Sequence, residues 1–216
     1  MKTDFWKAKW EENAIRFHQI RINPKLKQYF GELQLDRKEK VFVPLCGKTH
    51  DMRWLTLMGH RVIGVELSPI AVRDFFEEGG IAPVITSEPP FERWSGGGVD
   101  ILLGDFFELR PEHLIGVGGL YDRASLIALP PELRARYTEH LKDILPPNQR
   151  GLLLTIEYDQ EEMQGPPFSV DESEVRRLFA PDWSVEKLLA EDALEGSPMR
   201  ERLTGLVEKV YVIGSP

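Results

Sequence analysis

The sequence predicts an α/β domain with a mainly parallel sheet, because short apolar runs alternate with longer amphipathic stretches along the chain. Residues 40–45 and 61–66 are apolar, rich in β-branched side chains and too short for helices, which is typical of buried strands. Residues 49–59 between them suit a helix, with Thr49 or His50 as a cap and Gly59 as a stop. These segments predict a strand–helix–strand unit.

The same alternation continues towards the C-terminus. A helix is expected over residues 68–78, since Ser68-Pro69 fits a helix start and Gly79-Gly80 a stop. Residues 89–98 are rich in proline and glycine and are expected to form a loop. The later elements follow from the same patterns: strands over 99–103, 119–123 and 151–158, helices over 131–145 and 171–179, and final strands over 183–189 and 206–213.

The two ends of the chain depart from simple alternation. The last two strands follow each other without a helix, so we expect them to pair antiparallel and to leave one reversed strand at the sheet edge. Helices are expected on both faces of the sheet. Residues 1–30 are predicted to be a helical segment outside the sheet, since Phe5, Trp6, Trp10, Ile15 and Phe17 suggest an amphipathic helix. Residues 1–216 are predicted to be one domain.

Composition excludes several classes of function. The 216 residues carry a net charge of −8, which argues against a nucleic-acid partner. The single cysteine, Cys46, excludes an internal disulfide and a cysteine-based metal site, and we expect it to be a small buried loop residue. There is no apolar run of the roughly 18–20 residues that a membrane span needs, and no signal-peptide pattern, so a cytoplasmic location is expected.

Candidate site residues follow the predicted strands, where ligands bind in doubly wound sheets. The loop 44–48 contains Gly47, which lets backbone approach a ligand, and Glu66 at the next strand end suits the two hydroxyls of a ribose. Residues 104–107 would contact an adenine by stacking and one polar contact, and Arg123 ends the fourth strand. Each feature alone also fits a turn, a helix cap or core packing. Together, at successive strand ends, they indicate an adenosine-binding sheet.

Phosphate-binding patterns are incomplete in the loop after the first strand. A dinucleotide site would have Gly-x-Gly-x-x-Gly there, but the loop contains only Gly47. Gly47-Lys48-Thr49 matches the end of a Walker loop, but Phe42 stands where its first glycine belongs. S-adenosylmethionine has no phosphate and needs no such loop. A noncatalytic adenosine-binding module and a nicotinamide-dependent oxidoreductase remain the alternative hypotheses.

The sequence resembles the thiopurine S-methyltransferase family, of bacterial type, from the N-terminus nearly to the end. The stretches that carry the resemblance are Asp4-Phe5-Trp6-Lys7-Ala8-Lys9-Trp10, Phe17-His18, Pro44-Leu45-Cys46-Gly47-Lys48, Gly64-Val65-Glu66-Leu67-Ser68, Gly104-Asp105-Phe106-Phe107, Tyr121-Asp122-Arg123, Leu126-Ile127-Ala128-Leu129-Pro130 and Gly165-Pro166-Pro167-Phe168. The resemblance implies a class I, Rossmann-like methyltransferase fold whose N-terminal helix is a lid. It also implies transfer of a methyl group from S-adenosylmethionine to aromatic or heterocyclic thiols such as thiopurines, with selenium and tellurium compounds as further acceptors.

The resemblance also implies roles for individual residues. The implied cofactor-binding residues are Trp10, Leu45, Glu66, Asp105, Phe106 and Arg123. The implied acceptor-binding residues are Phe17, His18, Arg200 and Arg202, the two arginines being alternatives for one position near the C-terminal strands. Arg123 would also orient the acceptor and is the expected catalytic residue. We expect no metal site, no nucleic-acid or membrane partner, a small-molecule acceptor and a monomer.

Overall fold

The computed structural model describes residues 3–15 and 18–215, and within them one mixed sheet carries helices on both faces. The strands are β1 (Lys40–Val43), β2 (Val62–Glu66), β3 (Val84–Glu88), β4 (Phe91–Gly96), β5 (Val99–Leu103), β6 (Val117–Arg123), β7 (Arg150–Glu157), β8 (Ser184–Asp192) and β9 (Val207–Gly214). The α-helices are α1 (Thr3–Glu11), α2 (Pro24–Tyr29), α3 (Asp51–Leu57), α4 (Pro69–Glu78), α5 (Pro131–Ile144) and α6 (Glu172–Phe179). Every predicted helix and strand is confirmed, with bounds that differ by a few residues.

The sheet order is β3-β4-β5-β2-β1-β6-β7-β9-β8, and its five central strands, β5 to β7, are parallel. Successive residues of β1 enter different cores. Val41 and Val43 pack with α2, α3 and α4 on one face, whereas Phe42 packs with α5 and α6 on the other. Burial on both faces explains why the central strands are continuous apolar runs without alternation.

The C-terminal strands pair antiparallel as predicted, but the reversed strand is not at the edge. The strand β9 runs antiparallel to both β7 and β8 and lies between them, so β8 forms the edge. Burial explains this order. Residues 210–213 of β9 are all buried, whereas β8 has half-exposed and exposed side chains throughout. The more apolar strand therefore takes the interior position.

The loop predicted over residues 89–98 is wrong, because this segment contains β4. The strands β3 and β4 form a hairpin at the other edge of the sheet, and β4 runs antiparallel to β5. The prolines and glycines that suggested a loop stand at the two turns that flank the strand. Gly97 and Gly98 have φ values of 59° and 83°, which glycine adopts without steric cost.

The N-terminal segment is helical as predicted, although α1 ends at Glu11, before Ile15. Phe17 lies outside the described residues. In the ranges that the structure describes, no helix combines the length and the apolar character needed to cross a bilayer.

Candidate active site

The candidate site residues meet at the carboxyl edge of the sheet. The strands β5, β2, β1 and β6 are neighbours in that order, so the segments that follow them lie side by side. From β1 the chain continues to β2 and β5 on one side of β1, and it then returns to form β6 on the other side of β1. This change of direction is the place where ligands bind in doubly wound sheets. The topology therefore brings Leu45, Glu66, Asp105 and Arg123 to one edge.

The loops after β1 and β6 hold strained backbone. Leu45 has a φ of 45° and Ala124 a φ of 68°, in the left-handed region that non-glycine residues rarely adopt. Such residues cost on the order of 1–3 kcal/mol each and persist only where surrounding contacts hold them. The Ser125 hydroxyl supplies one such contact by donating to the Pro44 carbonyl over 2.8 Å. The two loops with strained backbone are therefore joined by a hydrogen bond at the centre of the site.

Asp122, near the end of β6, holds the loop that follows this strand by hydrogen bonds. One of its oxygens accepts hydrogen bonds from the backbone N–H groups of Ser125 and Leu126, each 3.2 Å away. The other accepts from the Tyr137 hydroxyl over 2.7 Å. Asp122 is fully buried, and burial raises its pKa despite these hydrogen bonds. Both of its oxygens accept hydrogen bonds, so Asp122 holds the backbone next to Arg123 in place.

Glu66 lies at the end of β2 with its carboxylate fixed by backbone. One oxygen accepts from the Gly47 N–H and the other from the Ser68 N–H, each over 2.8 Å. The side chain is buried, and burial raises its pKa while the N–H groups lower it. Each carboxylate oxygen has a further lone pair. Glu66 can therefore accept two more hydrogen bonds from a ligand with paired hydroxyls.

The loop after β1 also carries the contact to the N-terminal helix. Trp10 is only 5% exposed, and its Cζ2 would lie 3.3 Å from a Cβ built on Gly47. Gly47 has a φ of 53°, so both its conformation and its neighbour favour glycine. Lys48 reaches the same ring, with its Nζ 5.9 Å from the ring centroid, and pairs with Asp74 and Glu78 on α4. Trp10 thus packs α1 onto the loop that Glu66 holds.

Two other residues of this loop region are structural. The Cys46 thiol is buried, and burial raises its pKa well above the usual range, so it is a poor nucleophile. A Cβ on Gly64 would lie only 2.7 Å from the Cys46 Sγ. The close packing of the loop after β1 on β2 thus depends on this glycine.

The loop after β5, which was expected to contact an adenine, has its aromatic side chain Phe106 turned into the core. The Phe106 ring is 3% exposed and packs on Tyr137 and His140, with centroid distances of 4.9 and 5.1 Å. The Phe106 ring therefore belongs to the core in this structure, and its contact with an adenine stays a prediction. Asp105 accepts from the Phe107 N–H over 2.9 Å and turns the chain. The backbone of residues 104–106 remains at the edge of the sheet.

Phe91 is a neighbour of this loop that the sequence reasoning missed. A Cβ on Gly104 would lie 2.4 Å from the Phe91 ring, so only glycine fits there beside the aromatic side chain. Phe91 begins β4, inside the segment that was expected to be a loop. Recognising β4 as a strand in the sequence would have placed Phe91 beside this loop.

The residues expected at the acceptor end are more exposed than Glu66. Arg123 is half-buried, and its charge opposes the rise that burial gives to the pKa of Glu208. His18 is half-buried with its ring centroid 5.7 Å from that of His50, and burial and the nearby Lys48 lower its pKa. The positive charge of Arg123 also lowers the pKa of His18.

Arg200 and Arg202 lie between β8 and β9 and are exposed. Both β7 and β8 run antiparallel to β9, so this connection starts at the same carboxyl edge as the site. It packs on the segment after β7 through a small apolar cluster formed by Tyr158, Met163, Leu203 and Leu206. Both arginines therefore lie on a connection that starts at the carboxyl edge of the sheet.

Comparisons with known proteins agree with this geometry. The sequence model of the thiopurine S-methyltransferase family matches residues 1–215. Two proteins named thiopurine S-methyltransferase, from Pseudomonas paraeruginosa PA7 and Pseudomonas putida KT2440, are 50% and 48% identical over 215 residues, covering 99% of both chains. A solved structure with a similar fold is a Burkholderia thailandensis 1,6-didemethyltoxoflavin-N1-methyltransferase with bound 1,6-didemethyltoxoflavin and S-adenosylhomocysteine. Its TM-score is 0.62 at 14% identity, covering 99% of this chain and 87% of that chain.

Proposed function

The chain belongs to the thiopurine S-methyltransferase family, and on that premise we propose that it transfers the methyl group of S-adenosylmethionine to the sulfur of an aromatic or heterocyclic thiol. The mixed α/β sheet is the fold of S-adenosylmethionine-dependent methyltransferases. The observation that carries the proposal is Glu66, whose carboxylate is held by two backbone N–H groups at the carboxyl edge of the sheet.

The residues around Glu66 fit an adenosine cofactor without phosphates. A pyrophosphate needs several backbone N–H groups in a glycine-rich turn. Here Leu45 occupies the strained position, the Gly47 N–H already donates to Glu66, and Trp10 covers Gly47. A ribose needs only a fixed acceptor, which Glu66 provides. The local chemistry thus favours S-adenosylmethionine over a dinucleotide.

We assign the roles of the other site residues as part of this proposal. Glu66 binds the ribose, and Trp10 and Leu45 enclose the cofactor from the side of α1 and β1. Asp105 and the backbone of Phe106 contact the adenine. Arg123 lies between the cofactor and the acceptor and orients both. Of the remaining predicted residues, His18, Arg200 and Arg202 line the acceptor pocket, and Phe17, which lies outside the described residues, stays an expected acceptor-binding residue.

The chemistry asks little of the side chains beyond positioning. When bound, S-adenosylmethionine would supply a methyl group on a positively charged sulfur: the thiolate sulfur would bond to this methyl carbon in line as its bond to the sulfonium breaks and S-adenosylhomocysteine leaves. The acceptor thiol loses its proton to solvent, and Arg123 favours the thiolate by its positive charge. Holding two reactants in line is worth up to about 7–11 kcal/mol in well-oriented cases. Closure by α1 would exclude water and strengthen these electrostatic contacts.

A methyl-transfer screen with labelled S-adenosylmethionine tests the proposal. The acceptors are an aromatic thiol, a thiopurine, selenite and tellurite, with the Glu66→Gln variant as the control for a site-dependent signal. We expect transfer to the two thiols and use the oxyanions to test the selenium and tellurium acceptors. Binding of S-adenosylhomocysteine without transfer to any acceptor would instead favour a noncatalytic module. Tighter binding of NAD than of S-adenosylhomocysteine would favour an oxidoreductase.

The predicted monomer and the predicted cytoplasmic location stay part of the proposal. Size-exclusion chromatography with light scattering should give the 24.8 kDa mass of one chain. A mass near twice that value would contradict the monomer.

A further inference from the structure

Three potential metal ligands converge where the N-terminal segment meets α3 and α4. They are His18, His50 and Glu78, and each offers one ligand atom within 4.8 Å of the other two. We propose that these residues form a binding site for a divalent transition-metal ion such as Zn²⁺. No metal site was expected from the sequence, in which the first two ligands are 32 positions apart and the third is 28 positions further on.

The geometry of the cluster permits closure around an ion. The two imidazole rings have centroids 5.7 Å apart and are inclined by 45°, so they approach each other without stacking. Both histidines are half-buried, whereas the side chain of Glu78 is 44% exposed. An ion can therefore reach the cluster from solvent. Zn²⁺ binds nitrogen and oxygen ligands at about 2.0–2.2 Å, so side-chain rotation must shorten the present spacing.

The donor set selects the class of metal. Two imidazole nitrogens and one carboxylate oxygen suit zinc, nickel, copper or iron, whereas calcium and magnesium prefer oxygen alone. Three protein ligands leave a fourth position of a tetrahedral ion for water or a small molecule. The site is therefore open, unlike a structural zinc site with four protein ligands.

Of the charged residues beside the cluster, some compete with a metal ion and one offsets that competition. Lys48 donates to Glu78 over 2.7 Å and competes with a metal for its carboxylate, but Asp74 also holds Lys48 at 3.3 Å. Glu78 can thus turn one oxygen to an ion while Lys48 keeps a partner. Arg123 also lies close enough to affect His18 electrostatically. We expect these cations to make the site weaker than a closed zinc site.

Metal binding would join three parts of the chain. His18 belongs to the segment between α1 and α2, His50 precedes α3, and Glu78 ends α4. A ligand that binds only the folded chain stabilises it in proportion to its concentration and affinity. Occupancy should therefore raise the melting temperature and fasten the N-terminal segment beside the site. This inference does not depend on the methyl-transfer proposal.

Zinc titration of untagged protein against a chelating dye tests the site directly. We expect one Zn²⁺ per chain, and His18→Gln, His50→Gln and Glu78→Gln should each weaken binding at least about tenfold, by the scale of ligand-shell changes. The matched control is His113→Gln, since His113 lies on the turn at Pro111–Leu114, bonds to the Arg110 backbone and packs on Phe91. It should bind zinc as the parent chain does.

The melting temperature provides a second readout. Zinc should raise it in the parent chain and in the His113→Gln control, and not in the three ligand variants. Glu78 is exposed, so Glu78→Gln should fold and its result alone can decide. Absence of stoichiometric zinc binding by the parent chain, or unchanged affinity in Glu78→Gln, would overturn the proposal. Neither result would affect the assignment of the methyltransferase site.

Discussion

The carboxyl edge of the sheet has two sides that are built differently. On the cofactor side, Glu66 is buried and held by two backbone N–H groups, and strained loops are cross-linked beside it. On the proposed acceptor side, Arg123 and His18 are half-buried, and Arg200 and Arg202 are exposed on the connection between β8 and β9. The proposed cofactor side is therefore buried and hydrogen-bonded, whereas the proposed acceptor side is open to solvent.

The largest expected effect is a loss of stability when the hydrogen bonds that Asp122 makes to the loop after β6 are removed. Asp122→Ala should lower the free energy of unfolding by about 3 kcal/mol, because it leaves two backbone N–H groups and the Tyr137 hydroxyl without their acceptor. Chemical denaturation measures this change. The control is Asp182→Ala, which removes an exposed pairing with Lys142 and should cost under about 1 kcal/mol. Equal effects of the two variants would mean that the loop after β6 does not depend on Asp122.

The acceptor side is tested by Arg123. We expect Arg123→Ala to lower kcat by roughly 10–100-fold, because misplacement of the acceptor by about 1 Å costs on this scale. Its Kd for S-adenosylhomocysteine should rise by a smaller factor than kcat falls, because the proposal places Arg123 beside both the cofactor and the acceptor. Steady-state kinetics and calorimetry separate the two quantities, and Arg200→Ala and Arg202→Ala show which exposed arginine contributes. A variant that loses cofactor affinity and keeps its kcat would place Arg123 on the cofactor side.

The conformation of the loop after β1 is tested by Gly47. Gly47→Ala should destabilise the fold by about 1–2 kcal/mol, because its φ of 53° is unfavourable for a side chain and Trp10 lies against it. Thermal unfolding measures this loss, and cofactor affinity should fall with it. Gly196→Ala is the matched control, since a Cβ there meets nothing within 4 Å. A larger loss at Gly196 would contradict a constrained cofactor loop.

The smallest expected effect is the dependence of cofactor affinity on pH. Burial raises the pKa of Glu66, so the carboxylate becomes protonated at a higher pH than an exposed glutamate would. Protonation removes the negative charge that accepts from the ribose, so affinity should fall as pH decreases through that pKa. Calorimetry with S-adenosylhomocysteine across mildly acidic pH measures this, and Glu66→Gln should show no such slope. An equal slope in that variant would assign the titration to another group.

The same contrast explains what could be predicted from the sequence. The central strands and their helices are local apolar patterns, and Glu66 and Arg123 follow directly from strand ends. The position of β9 inside the sheet follows from comparing the apolar character of the last two strands, because their order along the chain does not show which one lies at the edge. The hairpin of β3 and β4 was missed because residues 84–87 are exposed and the flanking prolines and glycines indicated a loop.

The direction in which side chains point was the other feature that could not be predicted from the sequence. Phe106 and Asp105 are adjacent, and only packing on Tyr137 shows that the aromatic ring enters the core. The histidine and glutamate ligands of the proposed metal site lie on separate segments, so their meeting is a property of the tertiary fold. The exposed arginines between β8 and β9 lack a local signal that would rank them.

The most direct test of the central claim is the affinity of Glu66→Gln for S-adenosylhomocysteine. Hydrogen bonds to a charged group are worth about 1.5–3 kcal/mol, so the Kd should rise roughly 10–100-fold relative to the parent chain. Glu186→Gln, on the exposed edge strand β8, serves as the control and should leave the Kd unchanged. Calorimetry that gives Kd values within twofold for Glu66→Gln and the parent chain would contradict the assignment of Glu66 as the cofactor anchor.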